Sequence, residues 1–156
     1  MQDNRRLTTL ADELALCRQY LNLEQLRLGE RLQVDWDVQT MPGDALVPQL
    51  LLQPLVENAV SHGISNLTEG GWIRLSIGGD GRGDLTIVLE NSFDREMPSR
   101  RGTGMGLKNV RRRLDMRYGD RANFDVRTEG DCFRVTMNLP AEKAAAGPAE
   151  KDDAER

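Results

Sequence analysis

Between Leu50 and Gly63 the chain reads Leu-Leu-Leu-Gln-Pro-Leu-Val-Glu-Asn-Ala-Val-Ser-His-Gly. At helical spacing, residues 51, 55, 58 and 62 share one stripe, so Leu51 and Leu55 lead directly into Asn58 and His62. An apolar stripe that turns polar at its end suits the wall of a ligand pocket, although the surface-facing end of an ordinary core helix would read the same way. A second feature is Gly102-Thr103-Gly104-Met105-Gly106-Leu107-Lys108-Asn109, in which glycines at alternate positions lead straight into a helix. Residues without a Cβ let the backbone approach phosphate oxygens, and the free N–H groups of a helix start bind an anion. Each favourable charge interaction at such a terminus contributes about 0.3–1 kcal/mol. Leu107 stands where a Walker loop needs Lys-Ser/Thr, and no strand precedes the run as a dinucleotide fingerprint requires. The bland alternative is a flexible turn. Third, Asn91 ends an alternating run in which Leu85, Ile87 and Leu89 share its face and Glu90 points the other way. A buried amide must find hydrogen-bond partners, which a ligand can supply; alternatively Asn91 caps a turn with Ser92.

The elements that must position these residues can be read from periodicity. Leu7, Leu10, Leu14, Cys17 and Leu21 recur at three- and four-residue steps, predicting an amphipathic helix over Leu7 to Arg27 that stops at Gly29. Leu32 to Val38 alternates as a half-buried strand, and Met41 to Asp44 is a turn. Pro48 suits the first turn of a second helix and Gly63 a position just past its end. Pro54 should kink that helix or delay its regular start. Strands over Trp72 to Ile77 and Leu85 to Asn91 are joined by a Gly-rich turn. The segment from Ser92 to Thr103 has no hydrophobic period. A third helix is expected over Met105 to Tyr118, with Leu107, Val110 and Leu114 on one face, followed by strands over Asn123 to Arg127 and Phe133 to Leu139. The arginines at 111, 112 and 113 read as its solvated face rather than a nucleic-acid patch. From Ala141 the composition predicts a disordered tail. The expected class is α+β, a two-layer sandwich with helices on one face of a mixed, mostly antiparallel sheet.

Composition bounds the function classes. A chain of 156 residues, 38% hydrophobic and 29% charged, fits one globular domain. Its net charge of −4 offers no electrostatic argument for nucleic acid. No apolar run approaches the ~20 residues that span a bilayer, and no signal peptide opens the chain, so direct membrane contact is not expected. Cys17 and Cys132 stand far apart in sequence, predicting neither a zinc site nor a disulfide framework. A cytoplasmic setting follows as the simplest expectation.

Taken together, the motifs resemble the GHKL (Bergerat-fold) ATPase domain of LytS-type sensor histidine kinases, with the alginate-regulator kinases the nearest likeness. Tyr20-Leu21-Asn22-Leu23-Glu24 through Arg27-Leu28-Gly29-Glu30-Arg31-Leu32 is similar to the segment preceding that domain. Gln53-Pro54-Leu55-Val56-Glu57-Asn58-Ala59 with His62-Gly63 resembles the N-box, and Gly102 to Leu114 with Tyr118-Gly119-Asp120 resembles the G2 box and its helix. The likeness implies that Asn58 holds Mg²⁺ bridging the ATP phosphates, that His62 lies near the nucleotide, and that Glu57 orients or polarises groups at the reacting end. It implies that Asn91 takes the place of the aspartate that reads the adenine amino group. Gly102, Gly104 and Gly106, with Leu107, would wrap the nucleotide, and 93–102 would form a mobile lid. By the same likeness, residues 1–30 link to an upstream dimerisation region, 31–140 form the catalytic domain and 141–156 the tail. The implied partners are ATP, that upstream region with its phosphoacceptor histidine, and a response regulator. The setting implied is the cytoplasmic side of an inner-membrane-anchored sensor.

The sequence departs from the family pattern at identifiable places. Asn91-Ser92-Phe93-Asp94-Arg95 replaces the Asp-x-Gly-x-Gly of the G1 box, which predicts weak adenine affinity. Ser61 stands where many relatives carry a lysine, and the lid is short. His62 is the sole histidine and belongs to the N-box, so the phosphoacceptor is expected upstream. One alternative is a degenerate domain serving as a nucleotide-dependent regulatory module. Another is a chaperone- or mismatch-repair-type ATPase, but Pro54 occupies the place of the glutamate that activates water in those enzymes.

Overall fold

The computed structural model describes residues 6–64, 68–79, 82–94 and 103–143, with 103–105 described as backbone only. The first apolar stretch divides into two elements, strand β1 (Leu7–Thr9) and helix α1 (Leu10–Leu28). The helix was expected to begin at Leu7. It begins three residues later because Thr9 is extended (φ −76°, ψ 150°) and its side chain accepts the Asp12 N–H at 3.1 Å, the N-cap arrangement that satisfies an otherwise unpaired donor. Asp12 and Glu13 then fill the first turn, where the helix dipole favours negative charge. Gly29, at φ 61°, ends the helix in a conformation that side chains with a Cβ disfavour.

Strand β2 (Leu32–Asp37) follows, then β3 (Ala45–Pro48). Pro48 therefore closes a strand and does not open a helix: β3 pairs antiparallel with β1, Leu7 opposite Pro48. Regular α-helix starts only at Gln53, where α2 (Gln53–Asn58) carries Pro54 in its first turn. Of the two effects expected of Pro54, the delayed start is the one found, as its fixed φ and missing N–H are tolerated there. The helix then widens into a π-helical turn, Ala59–Gly63. Strands β4 (Gly71–Gly79) and β5 (Asp84–Ser92), helix α3 (Thr103–Tyr118), and strands β6 (Asn123–Glu129), β7 (Cys132–Pro140) and β8 (Glu142–Lys143) complete the order.

The main sheet has the order β2-β4-β5-β7-β6, parallel between β2 and β4 and antiparallel elsewhere. This is the mixed, mostly antiparallel sheet that the alternation predicts. Ile73, Leu75 and Ile77 of β4, Leu85, Ile87 and Leu89 of β5, and Val135, Met137 and Leu139 of β7 are buried on one face. Against it pack Leu10, Leu14, Cys17 and Leu21 of α1, Leu55 and Val56 of α2, and Val110 and Leu114 of α3. Each fully buried aliphatic side chain contributes about 1.5–3 kcal/mol. The first helix thus packs within the same core as the sheet. Cys17 belongs to that core; burial, and then the charge of Glu13, push its thiol up to about 12.

A second, three-stranded sheet, β1-β3-β8, was not anticipated. It draws Glu142 and Lys143, expected to be disordered, into pairing with Leu46 and Ala45. Glu142 also meets Arg117 of α3 at 3.0 Å. The remainder of the expected tail, 144–156, lies outside the described residues.

Candidate functional site

The helix that carries Asn58 and His62 is held in place from outside. No side chain caps its start. Leu50, just before it, has φ 60°, the sole positive φ of a non-glycine among the described residues, a conformation costing about 1–3 kcal/mol. The carboxylate of Glu13, buried at 1% exposure, accepts the N–H groups of Leu50, Leu51 and Leu52 at 2.8, 3.0 and 3.1 Å. On the other side Arg113 donates from Nη1 to the Leu50 carbonyl at 2.7 Å and from Nη2 to the Gln49 carbonyl. Burial lowers the Arg113 pKa from its ordinary value, and the charge of Glu13 opposes that shift. Of the three arginines expected on a solvated face, only Arg112 is simply exposed: Arg111 also lies over the Phe124 ring at 4.9 Å, and Arg113 is drawn inward by the two carbonyls.

The expected stripe of 51, 55, 58 and 62 is shortened, because Leu51 precedes the helix. Its polar end stands. Asn58 and His62 are half-buried and line one cavity of about 110 Å³ together with Gly63, Asn91, Phe93, Thr128 and Phe133. Strand register explains the far wall: Asn91 of β5 pairs with Phe133 of β7, which pairs with Thr128 of β6, so the three side chains form a row on the helix-covered face. Asn91 points inward as the alternation requires, at 3% exposure, and its Nδ2 donates to the Ser92 carbonyl at 2.9 Å. Glu90 points outward to Arg134 at 2.9 Å. Phe93 packs edge-on against Phe133, ring centres 6.0 Å apart, and its N–H is held by the Asp131 carbonyl at 2.9 Å.

Gly63 was expected just past the helix end as a stop signal. It lies instead within the π-helical turn, without the positive φ of a terminating glycine, and the helix needs it for a different reason. A Cβ there would stand inside van der Waals contact of Asn91 Nδ2 and 2.9 Å from the Ser92 carbonyl. Only a glycine allows the helix to close on the strand that presents Asn91.

The other expected site residues are placed differently. Glu57 is exposed, accepts from Gln53 Nε2 at 3.1 Å, and is absent from the cavity wall. Its charge acts on α1, where burial, then Glu24, then Glu57 push the Tyr20 hydroxyl up to about 12. Gly106 lines a separate groove of about 600 Å³ at the start of α2, with Leu50, Pro54, Asn109 and Arg113 among its walls. Leu107 is half-buried against the core. Gly104 lies in the first turn of α3, which carries no acidic residue. Gly102 lies outside the described residues, as does the expected lid beyond Asp94. Phe93, expected as the first residue of the mobile lid, is held instead in the cavity wall by Asp131 and Phe133; Thr128, Phe133 and the role of Glu13 were missed. For Glu13 a signal existed, a carboxylate set beside the apolar stripe of Leu10, Leu14 and Cys17; for Thr128 and Phe133 none exists without the pairing register.

Chemically, the cavity is an aromatic-edged slot with a buried amide at its base, suited to a flat heterocycle that offers an N–H. The start of α3, free of first-turn acids, favours anions. Among the described residues no cluster of three His, Cys, Asp or Glu could hold a metal. A hard cation at the Asn58 amide oxygen would therefore complete its shell with phosphate and water oxygens, as Mg²⁺ commonly does.

Residues 43–142 match the family described as Histidine kinase-, DNA gyrase B-, and HSP90-like ATPase. The sensor histidine kinase BtsS of Escherichia coli K12 is 35% identical over 133 residues, which cover 85% of this chain and 24% of BtsS. The sensor histidine kinase/phosphatase LytS of Staphylococcus aureus Mu50 is 31% identical over 139 residues, covering 80% of this chain and 24% of LytS. The chain thus spans about a quarter of the length of these curated relatives. The catalytic domain of the histidine kinase ThkA has the same fold, with a TM-score of 0.64 at 15% identity, covering 89% of this chain and 98% of that domain.

Proposed function

The chain belongs to the histidine kinase-, DNA gyrase B- and HSP90-like ATPase family, and from that premise we propose that it is the Mg·ATP-binding catalytic domain of a two-component sensor histidine kinase. The observation that carries the reading is the meeting of Asn58, His62 and Asn91 in one cavity from two elements far apart in sequence. With Nδ2 of Asn91 committed to Ser92, its side-chain carbonyl is the atom to accept the adenine amino N–H. Phe93 and Phe133 flank the ring. From there the phosphates would run along α2 toward the groove of Gly106 and the start of α3, where the family likeness assigns Gly102, Gly104 and Leu107 to the nucleotide. Asn58 would supply an oxygen ligand to Mg²⁺, whose charge would offset that of the phosphates, and His62 would lie beside the nucleotide. Phosphoryl transfer asks mainly for such positioning and charge neutralisation.

The γ-phosphoryl group would pass to a histidine nitrogen on an upstream helix, breaking the bond to the β,γ-bridging oxygen and releasing ADP, and then to an aspartate of a response regulator. Glu57, which is exposed, would act where that incoming region meets the site. In this reading residues 1–30 would connect to that region and 31–140 would form the catalytic unit, with α1 packed into the core of that unit. No helix among the described residues is long and apolar enough to cross a membrane, in keeping with a cytoplasmic domain of a membrane-anchored sensor. The kinship with alginate-regulator kinases is a further part of this reading and rests on the motifs alone.

A calorimetric titration with a non-hydrolysable ATP analogue, with and without Mg²⁺, tests the proposal. Saturable binding that tightens with Mg²⁺ is expected. Absence of binding under both conditions would overturn it.

A further inference from the structure

We infer that Glu13 and Arg113 are positioning residues for the phosphate end of the nucleotide site, an inference that rests on the nucleotide-binding reading above. Three helices meet at a single turn of chain. The donors of that turn, the N–H groups of Leu50, Leu51 and Leu52, all end on one carboxylate from α1. Its acceptors, the carbonyls of Gln49 and Leu50, end on one guanidinium from α3. Between these two clamps Leu50 is held at φ 60°, and α2 begins directly afterwards without a cap of its own. The turn therefore has no local reason to adopt its conformation, and the two charged side chains impose it.

Arg113 lies two helical turns after Gly106 on the helix that the glycine run opens, and both residues wall the same groove with Leu50 and Pro54. Asn58 sits at the far end of α2. The Arg113 fork thus sets the placement of α3 against the helix that carries Asn58, while the Glu13 carboxylate ties that same turn to α1. The adenine end leans mainly on the sheet: Asn91, Thr128 and Phe133 are fixed by strand pairing, and the helix reaches them at its end remote from the clamp, through Gly63. Disturbing the clamp should therefore loosen the grip on the phosphates and spare the grip on the base.

Arg113→Lys keeps the charge but replaces a planar fork with a single ammonium, which cannot hold two carbonyls in the same geometry. Glu13→Gln keeps the volume but turns an NH₂ toward donors. The affinities of both variants and of wild type for an Mg²⁺-bound non-hydrolysable ATP analogue and for adenosine are measured on the full chain, by calorimetry and by NMR titration respectively, at a temperature where circular dichroism shows each protein folded. In Arg113→Lys the analogue is expected to bind about tenfold more weakly or worse, the scale seen when a supporting residue behind a site is altered. Adenosine should change by less than about twofold, as for sites remote from the change. Should Glu13→Gln not fold, Arg113→Lys decides alone. Equal losses for both ligands, or none for either, would overturn the inference while leaving the nucleotide reading intact. Wild type that binds neither ligand would bring down the nucleotide reading and this inference with it.

Discussion

Glu13→Ala is expected to lower the unfolding free energy by about 3–5 kcal/mol, read as a shift in the urea midpoint. The mutation removes the acceptor of three backbone N–H groups, those of Leu50, Leu51 and Leu52. A buried donor left without a partner costs about 1–3 kcal/mol, and the space of a side chain at 1% exposure adds a cavity cost. Water entering that space would recover part of the loss, which sets the upper bound. The removal also leaves the half-buried Arg113 guanidinium without the carboxylate whose charge offsets its desolvation. Against a total stability of about 5–15 kcal/mol for a domain, this is a large share. An ordinary exposed helix glutamate would change stability by no more than about 0.5 kcal/mol, so a shift of that size would show that the carboxylate does not cap the turn.

Gly63→Ala should damage binding and folding together. The new methyl group would overlap Asn91 Nδ2 and approach the Ser92 carbonyl at 2.9 Å. Neither neighbour can yield easily, because Asn91 is buried and Ser92 lies within the ladder that pairs β5 with β7. Overpacking of this kind costs about 1–3 kcal/mol. The amide at the base of the cavity would be pushed from its place, so nucleotide affinity should fall at least about tenfold, the equivalent of one lost hydrogen bond of about 1.4 kcal/mol. Thermal unfolding and nucleotide titration of the same variant check both halves. Wild-type affinity at a lowered melting temperature would show that Asn91 does not contact the ligand.

The sheet was legible because its strands alternate: Ile73, Leu75 and Ile77 against Arg74 and Ser76, and Leu85, Ile87 and Leu89 against Thr86 and Glu90, with Val88 the one apolar exception. Helix α3 was legible from Leu107, Val110 and Leu114, and Asn91 from parity along β5. What could not be read depends on contacts between distant segments. Strands β1 and β8 are short, and their pairing with β3 joins chain ends through register that no local pattern encodes. The same holds for Thr128 and Phe133, which meet Asn91 only through strand pairing. Pro48 and Gly63 misled in the same manner: each residue type has a strong helix-terminus preference, and tertiary packing assigned it another task. Gly106 sits in the groove at the opposite end of α2 from Asn58, a separation that motif spacing alone does not reveal.

On the proposed reading Asn58 would join the nucleotide to its metal ion within the cavity that Asn91 closes. Isothermal titration of Asn58→Ala with a non-hydrolysable ATP analogue and Mg²⁺, beside wild type and with circular dichroism to establish the fold, tests it most directly. The side chain is half-buried, so its loss should leave the fold in place while abolishing the Mg²⁺-dependent part of binding, a fall of about 10–100-fold. An affinity unchanged from wild type would contradict the assignment.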